Sequence, residues 1–209
     1  TVWQAGERYT VTDSDTFFVK ASIVTVSPNE GTVGTPITIT GTGFSANYLV
    51  KIGFGNTASR TSSLTGGSGT FTATFTIDTQ VDGTCTITAQ CSVNTATNSL
   101  RIKPAIILVT PIEGSVGTLV TVSGNGFGNQ HTIRVVFGNT ATMATVSSAV
   151  IGSFTTSFTV DEQIYGSTAV RAYDDTDNVN AVYGQLFTIK PNITLVSPKS
   201  GTVESEVRV

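Results

Sequence analysis

The sequence predicts an all-β protein made of tandem two-sheet sandwiches arranged end to end. Three observations carry that reading. A long segment repeats at a spacing of 83 residues, so that Pro28, Gly31, Gly34, Gly41, Gly43, Phe44, Phe54, Gly55, Asn56, Thr57 and Ala58 return as Pro111, Gly114, Gly117, Gly124, Gly126, Phe127, Phe137, Gly138, Asn139, Thr140 and Ala141. Apolar residues alternate with Thr and Ser along both copies, the pattern of strands with one buried and one wet face. No stretch sustains the 3.6-residue apolar period of an amphipathic helix.

The repeat continues through Phe71/Phe154, Phe75/Phe158, Asp78/Asp161 and Gly83/Gly166. Its length is that of a whole small domain rather than one turn of a solenoid. Pro111 returns as Pro198, 87 residues on, which places four additional residues in one late loop of the second unit. The expected organisation follows. Residues 1–20 close an upstream unit, with Phe17-Phe18-Val19-Lys20 aligned to Leu100-Arg101-Ile102-Lys103. Residues 21–104 and 105–191 are complete units. Residues 192–209 open a further one. A domain cut in half cannot close its own core, so a longer parent is favoured over completion by neighbouring chains.

Each strand of the first unit shows inward positions in turn: Ile37 and Ile39; Val50, Ile52 and Phe54; Phe71, Ala73, Phe75 and Ile77; Cys85, Ile87 and Ala89; Leu100 and Ile102. The second unit repeats them as Val120 and Val122; Ile133, Val135 and Phe137; Phe154, Phe158 and Val160; Val170 and Ala172; Phe187 and Ile189. About seven short strands joined by Gly, Asn, Asp and Pro turns make an antiparallel sandwich. Pro28 suits the second position of a turn, with Gly31 following where a positive φ costs little. Gly41 and Gly43 are expected to end a strand in a bulge before Phe44 turns into the core.

Charge excludes some roles. Lys and Arg number 11 against 14 Asp and Glu, a net charge of −3, and no basic run gives a nucleic-acid footprint. No apolar stretch has the length of a membrane span.

The string S-P-N-E-G-T-V-G-T-P-I-T-I-T-G-T-G-F followed by K-I-G-F-G-N-T-A resembles the IPT/TIG group of immunoglobulin-like domains. So does T-P-I-E-G-S-V-G-T-L-V-T-V-S-G-N-G-F followed by V-V-F-G-N-T-A. The opening of the third unit matches too, with Glu204 where Gly34 and Gly117 stand, which leaves the geometry of that turn open. The resemblance implies an early-set immunoglobulin-like sandwich. It also implies a place among cell-surface receptors, microbial surface proteins, accessory modules of polysaccharide enzymes or transcription factors. The last branch fits poorly, because its DNA contacts need basic loops. The family has no common catalytic residues to carry over.

Candidate chemistry is sparse. His131 is the one histidine, at a strand entrance, with Tyr48 as its counterpart and no G-x-S-x-G elbow to accompany it. Cys85 and Cys91 lie on one face of one expected strand, roughly 20 Å apart at about 3.3 Å per residue, beyond the reach of a disulfide. Two buried thiols are expected. A local disulfide (if the strand ends early), metal ligation and intermolecular pairing are the alternatives. Asp174, Asp175 and Asp177, with Asn178, form the dense acidic cluster, in the loop that holds the extra residues. Oxygen ligands at this spacing suit Ca²⁺. In an end-to-end array this loop faces the lower pole of the preceding unit, where Asp78, Asp82 and Glu30 lie, so a calcium ion locking the junction is an expectation. Asn192-Ile193-Thr194 is a sequon that marks Asn192 as a glycosylation candidate.

Lys103-Pro104 and Lys190-Pro191 join the units almost without linker, and proline stiffens such joints. These lysines are expected either to pair with acids of the neighbouring unit or to stay solvated. Each unit should add roughly 40 Å to a semi-rigid rod, given strands of about 7–10 residues. The functional expectation is a non-enzymatic structural or adhesive segment of a repetitive extracellular surface protein, a stalk, surface-layer or filament block. Its expected partners are neighbouring copies, by strand addition at an exposed edge, and surface glycans or proteins. The alternative is a carbohydrate-binding or spacer module of a secreted polysaccharide enzyme. Its sugar platform would need exposed aromatics, whereas Trp3, Tyr9, Tyr48, Tyr165, Tyr173 and Tyr183 form no stripe.

Overall fold

Alternating Thr and aliphatic residues become strands throughout, and no helix occurs among the described residues. The computed structural model describes residues 2–4, 7–9, 19–92, 94–193 and 195–208. Strands β1 (Val2–Gln4) and β2 (Glu7–Tyr9) pair antiparallel at the start of the chain. Phe17 and Phe18, expected to close an upstream unit, lie outside the described residues.

The first unit packs two sheets. One holds β3 (Ser22–Ser27), β5 (Pro36–Thr42) and β8 (Phe71–Thr76) in the order β3-β5-β8. The other holds β4 (Glu30–Gly31), β6 (Leu49–Phe54), β7 (Thr57–Leu64), β9 (Gly83–Cys91) and β10 (Asn94–Ile102) in the order β4-β10-β9-β6-β7. Ile37, Ile39, Val50, Ile52, Ile87 and Leu100 are essentially fully buried between the sheets, as their parity requires. Each such side chain contributes about 1.5–3 kcal/mol on leaving water.

The second unit repeats this plan. Strands β11 (Ala105–Thr110), β13 (Leu119–Asn125) and β16 (Phe154–Thr159) form one sheet. Strands β15 (Thr140–Ser147), β14 (Thr132–Phe137), β18 (Val170–Asp174) and β19 (Val179–Val182) form the other. Strands β12 (Glu113–Gly114), β20 (Phe187–Ile189) and β17 (Gly166–Thr168) pair beside it. The Phe44–Phe71 contact at 5.2 Å recurs as Phe127–Phe154 at 5.1 Å, and Phe54–Phe75 at 5.2 Å recurs as Phe137–Phe158 at 5.1 Å. Phe187, in the place of Leu100, adds an edge contact to Phe137 at 5.2 Å.

Several local expectations need correction. The positive φ of the first turn belongs to Gly34 (φ 91°) and Gly117 (φ 89°), not to Gly31 and Gly114. Gly31 is small for another reason: a Cβ there would come within 2.9 Å of the Thr35 side chain. Glu204 takes φ 74° at the same step, so the third copy keeps the turn despite its side chain. The Ser27–Pro28, Thr110–Pro111 and Ser197–Pro198 peptide bonds are cis. The bulge opposite Gly41 lies on β3, where the register shifts between Ile23 and Thr25 and Val24 turns outward. The four extra residues are not in one loop. Two lengthen the β18–β19 turn relative to the Cys91–Asn94 turn, and two interrupt the last strand between Val182 and Phe187. Lys103 and Lys190 pair with Glu30 and Glu113 of their own units rather than with a neighbour.

Candidate functional site at the junction of the two units

A corner network is common to both units. The Thr65 hydroxyl donates to Ser45 O and accepts from the Tyr48 amide; Ser148 does the same with Gly128 O and the His131 amide. Both hydroxyl residues are buried. On this shared frame the second unit makes two substitutions: His131 replaces Tyr48, and Asp174 replaces the buried Cys91.

Asp174 is the last residue of β18 and points inward with Val170 and Ala172. Its side chain is 0% exposed. A buried carboxylate without partners costs several kcal/mol, so each oxygen must be satisfied. Oδ2 accepts from the Gly128 amide at 3.0 Å and contacts His131 Nδ1 at 2.9 Å; Oδ1 accepts from the Thr176 and Asp177 amides at 3.0 and 3.4 Å. Burial pushes the Asp174 carboxyl up, but His131 and the three amides outweigh it and hold it below its ordinary value. The hydrogen bond to Asp174 pushes the His131 pKa upward, and Asp177 and Asp82 add to the shift.

The structure brings only part of the expected acidic set together. Asp174 and Asp177 flank His131, with Asp177 Oδ2 3.3 Å from Nδ1. Asp175 turns away and is held by Arg134, through Nε at 2.9 Å and Nη2 at 2.8 Å, while the Arg134 guanidinium stacks over Tyr173. Asp82 of the first unit reaches the same corner. Its amide donates to Phe127 O at 3.4 Å across the junction. Burial, then the nearby Asp177 carboxylate, raises its pKa above 3.8. Asp78 stays inside its own unit, bound by Thr57 and Gln80, and Glu30 is taken by Lys103.

His131, read from the sequence as a lone histidine at a strand entrance, is therefore central to the junction. The signal lay in the repeat itself: two exchanges, Tyr48 to His131 and Cys91 to Asp174, fall on the same corner of the same frame. Cys85 and Cys91 are both free, with Cys91 buried and Cys85 only half-buried beside Gly55. Asn192 is exposed, and Thr194 of its sequon lies outside the described residues.

A family model fits this architecture. The family model described as IPT/TIG domain matches residues 21–102 and again 104–189. No curated protein matches the sequence. Among solved structures, the D0-D1 domain of intimin is 15% identical over 82% of this chain and 98% of its own, with a TM-score of 0.30. The Yersinia pseudotuberculosis adhesin InvE is 14% identical over 78% of this chain and 58% of its own (TM-score 0.34). SGBP-B of a xyloglucan utilisation locus in Bacteroides uniformis is 19% identical over 80% of this chain and 49% of its own (TM-score 0.28).

Proposed function

Since the chain belongs to the IPT/TIG domain family, we propose that it is a structural or adhesive segment of a repetitive extracellular surface protein. In that role it spaces or presents neighbouring domains as part of a stalk, surface layer or filament, and copies of the same protein are its first partners. The observation that carries this reading is the junction. Two units of the same plan meet across Lys103-Pro104 with no free linker, and Asp82 of one sits against Phe127, His131, Asp174 and Asp177 of the other. Joints of this kind favour a fixed relation between units over a flexible chain.

Mild acidity and the predominance of hydroxyls on the outward faces suit a hydrated extracellular surface. No described helix is long and apolar enough to cross a membrane. Small-angle scattering tests the proposal: an elongated particle of fixed length, unchanged by salt, is expected. A distribution of compact and extended forms would overturn it. Binding to a glycan array would instead promote the carbohydrate-binding reading.

A further inference from the structure

A cluster of chemistry-bearing groups lies away from the junction acids and recurs in both units. In the second unit it joins Thr140, at the start of β15, to Asp161 and Gln163 in the loop after β16. The Thr140 hydroxyl donates to Asp161 Oδ2. The Gln163 amide nitrogen donates to Asp161 Oδ1 at 2.9 Å and to Thr140 Oγ1 at 2.9 Å. Gly138, at φ 55°, leaves room for the carboxamide: a Cβ there would lie 2.7 Å from Gln163 Oε1. A hydroxyl, a carboxylate and a carboxamide thus form a closed, half-buried triangle against a glycine that any side chain would displace.

This arrangement contains the parts of an acyl transfer. A nucleophile must touch its base, and the base must be oriented by a third group. Thr140 touches Asp161, and the Gln163 amide holds the other oxygen of that carboxylate. The Gln163 Cδ lies one covalent bond beyond a nitrogen that is 2.9 Å from Oγ1, so a rotation of the carboxamide is what brings Cδ to the about 3–3.5 Å at which reacting atoms begin to engage.

We propose that Thr140 and Gln163 are a self-modification site, at which the threonine oxygen forms an ester with the glutamine side chain. The Oγ1–Cδ bond forms as the Cδ–Nε2 bond breaks. Asp161 takes the hydroxyl proton and delivers it to the departing nitrogen, which leaves as ammonia, and Asp161 ends as the carboxylate it began. No oxidant, metal or other reactant enters. Escape of ammonia draws the exchange forward, and holding the groups together supplies the effective concentration that a free hydroxyl and amide lack. The product ties the β14–β15 hairpin to the β16–β17 loop by a covalent bond.

The first unit is a built-in control. Thr57 donates to Asp78 Oδ2 at 3.0 Å and Gln80 to Asp78 Oδ1 at 2.9 Å, but the triangle is open, because no Gln80–Thr57 bond occurs. Arg60 Nη1 lies 3.5 Å from the same Asp78 oxygen and competes for it. In the second unit that arginine is Met143.

Intact-mass spectrometry and peptide mapping of the whole chain test the proposal. The expected result is a mass lower than the sequence mass by one ammonia, about 17 Da, with peptides holding Thr140 and Gln163 joined and separable by hydroxylamine. T140A and D161N should both restore the full mass, and T140S should keep the link. An unmodified mass with Gln163 still an amide, or Gln163 converted to Glu without a link, overturns the proposal. A link at Thr57–Gln80 in place of Thr140–Gln163 overturns it equally.

Discussion

His131 Nδ1 lies 2.9 Å from Oδ2 of Asp174, a carboxylate with 0% side-chain exposure, at the corner where the second unit meets the first. The imidazole is the partner that this buried charge gains from outside the backbone, and Asp82 and Asp177 face the same ring.

A pH dependence follows. His131 has a folded pKa raised above 6.5, so its contribution is complete below 6.5 and is lost as pH rises through the raised value. Asp174 has a folded pKa below 3.8, so its contribution is present above 3.8 and is lost as pH falls through the lowered value. Asp82 is raised from 3.8, so its ionisation costs stability as pH rises through its folded pKa. The second unit should melt highest between these acid and neutral limits and lower in alkali. H131Q should flatten the decline above neutral pH and also shift the acid limb, because Asp174 loses a partner that holds its pKa down. Melting curves across pH that fall in parallel for both proteins would refute this assignment.

Gly152 takes φ 74°, and a Cβ there would stand 2.1 Å from Phe127 O; its counterpart Gly69 does the same to Phe44 O. Both the conformation and the collision oppose any side chain. G152A should cost at least about 1–3 kcal/mol and lower the melting temperature of the second unit. Chemical denaturation with an unchanged midpoint would show that the turn relaxes freely.

Phe137 is fully buried and touches both Phe158 and Phe187. Replacing it by Ala removes a ring from the centre of one core and should cost about 3–5 kcal/mol. The first unit has its own separate cluster around Phe54, so a two-step unfolding curve is expected, with only one step displaced. Equal displacement of both steps would mean that the units unfold as one.

Calcium at the junction can be tested directly. Asp174 already accepts from three amides and His131, and Asp175 is held by Arg134. Asp82 and Asp177 hold the remaining carboxylate oxygens of the corner, with Asp177 Oδ2 already 3.3 Å from His131 Nδ1, and together they offer fewer than the 6–8 ligands calcium takes. Calorimetric titration with Ca²⁺ should therefore give no heat and no change in melting temperature. A rise that D177N removes would establish the ion.

Period-two patterning and the 83-residue repeat determined the sandwich, the two complete units and the inward residues, because burial on one face dictates parity and parity is visible residue by residue. The pairing of Asp82 with the His131 corner was legible only as a tendency of two loops to meet. The sequence reading grouped Asp175 with Asp174 and Asp177 because they are neighbours along the chain. Asp174 closes β18 on the inward parity of Val170 and Ala172 and meets His131, whereas Asp175 opens the turn that follows and is held by Arg134 of β14. Which positive φ fell to Gly34, where two pairs of extra residues went, and which glutamine closed on Thr140 were likewise decided in three dimensions, where distance along the chain no longer measures distance in space.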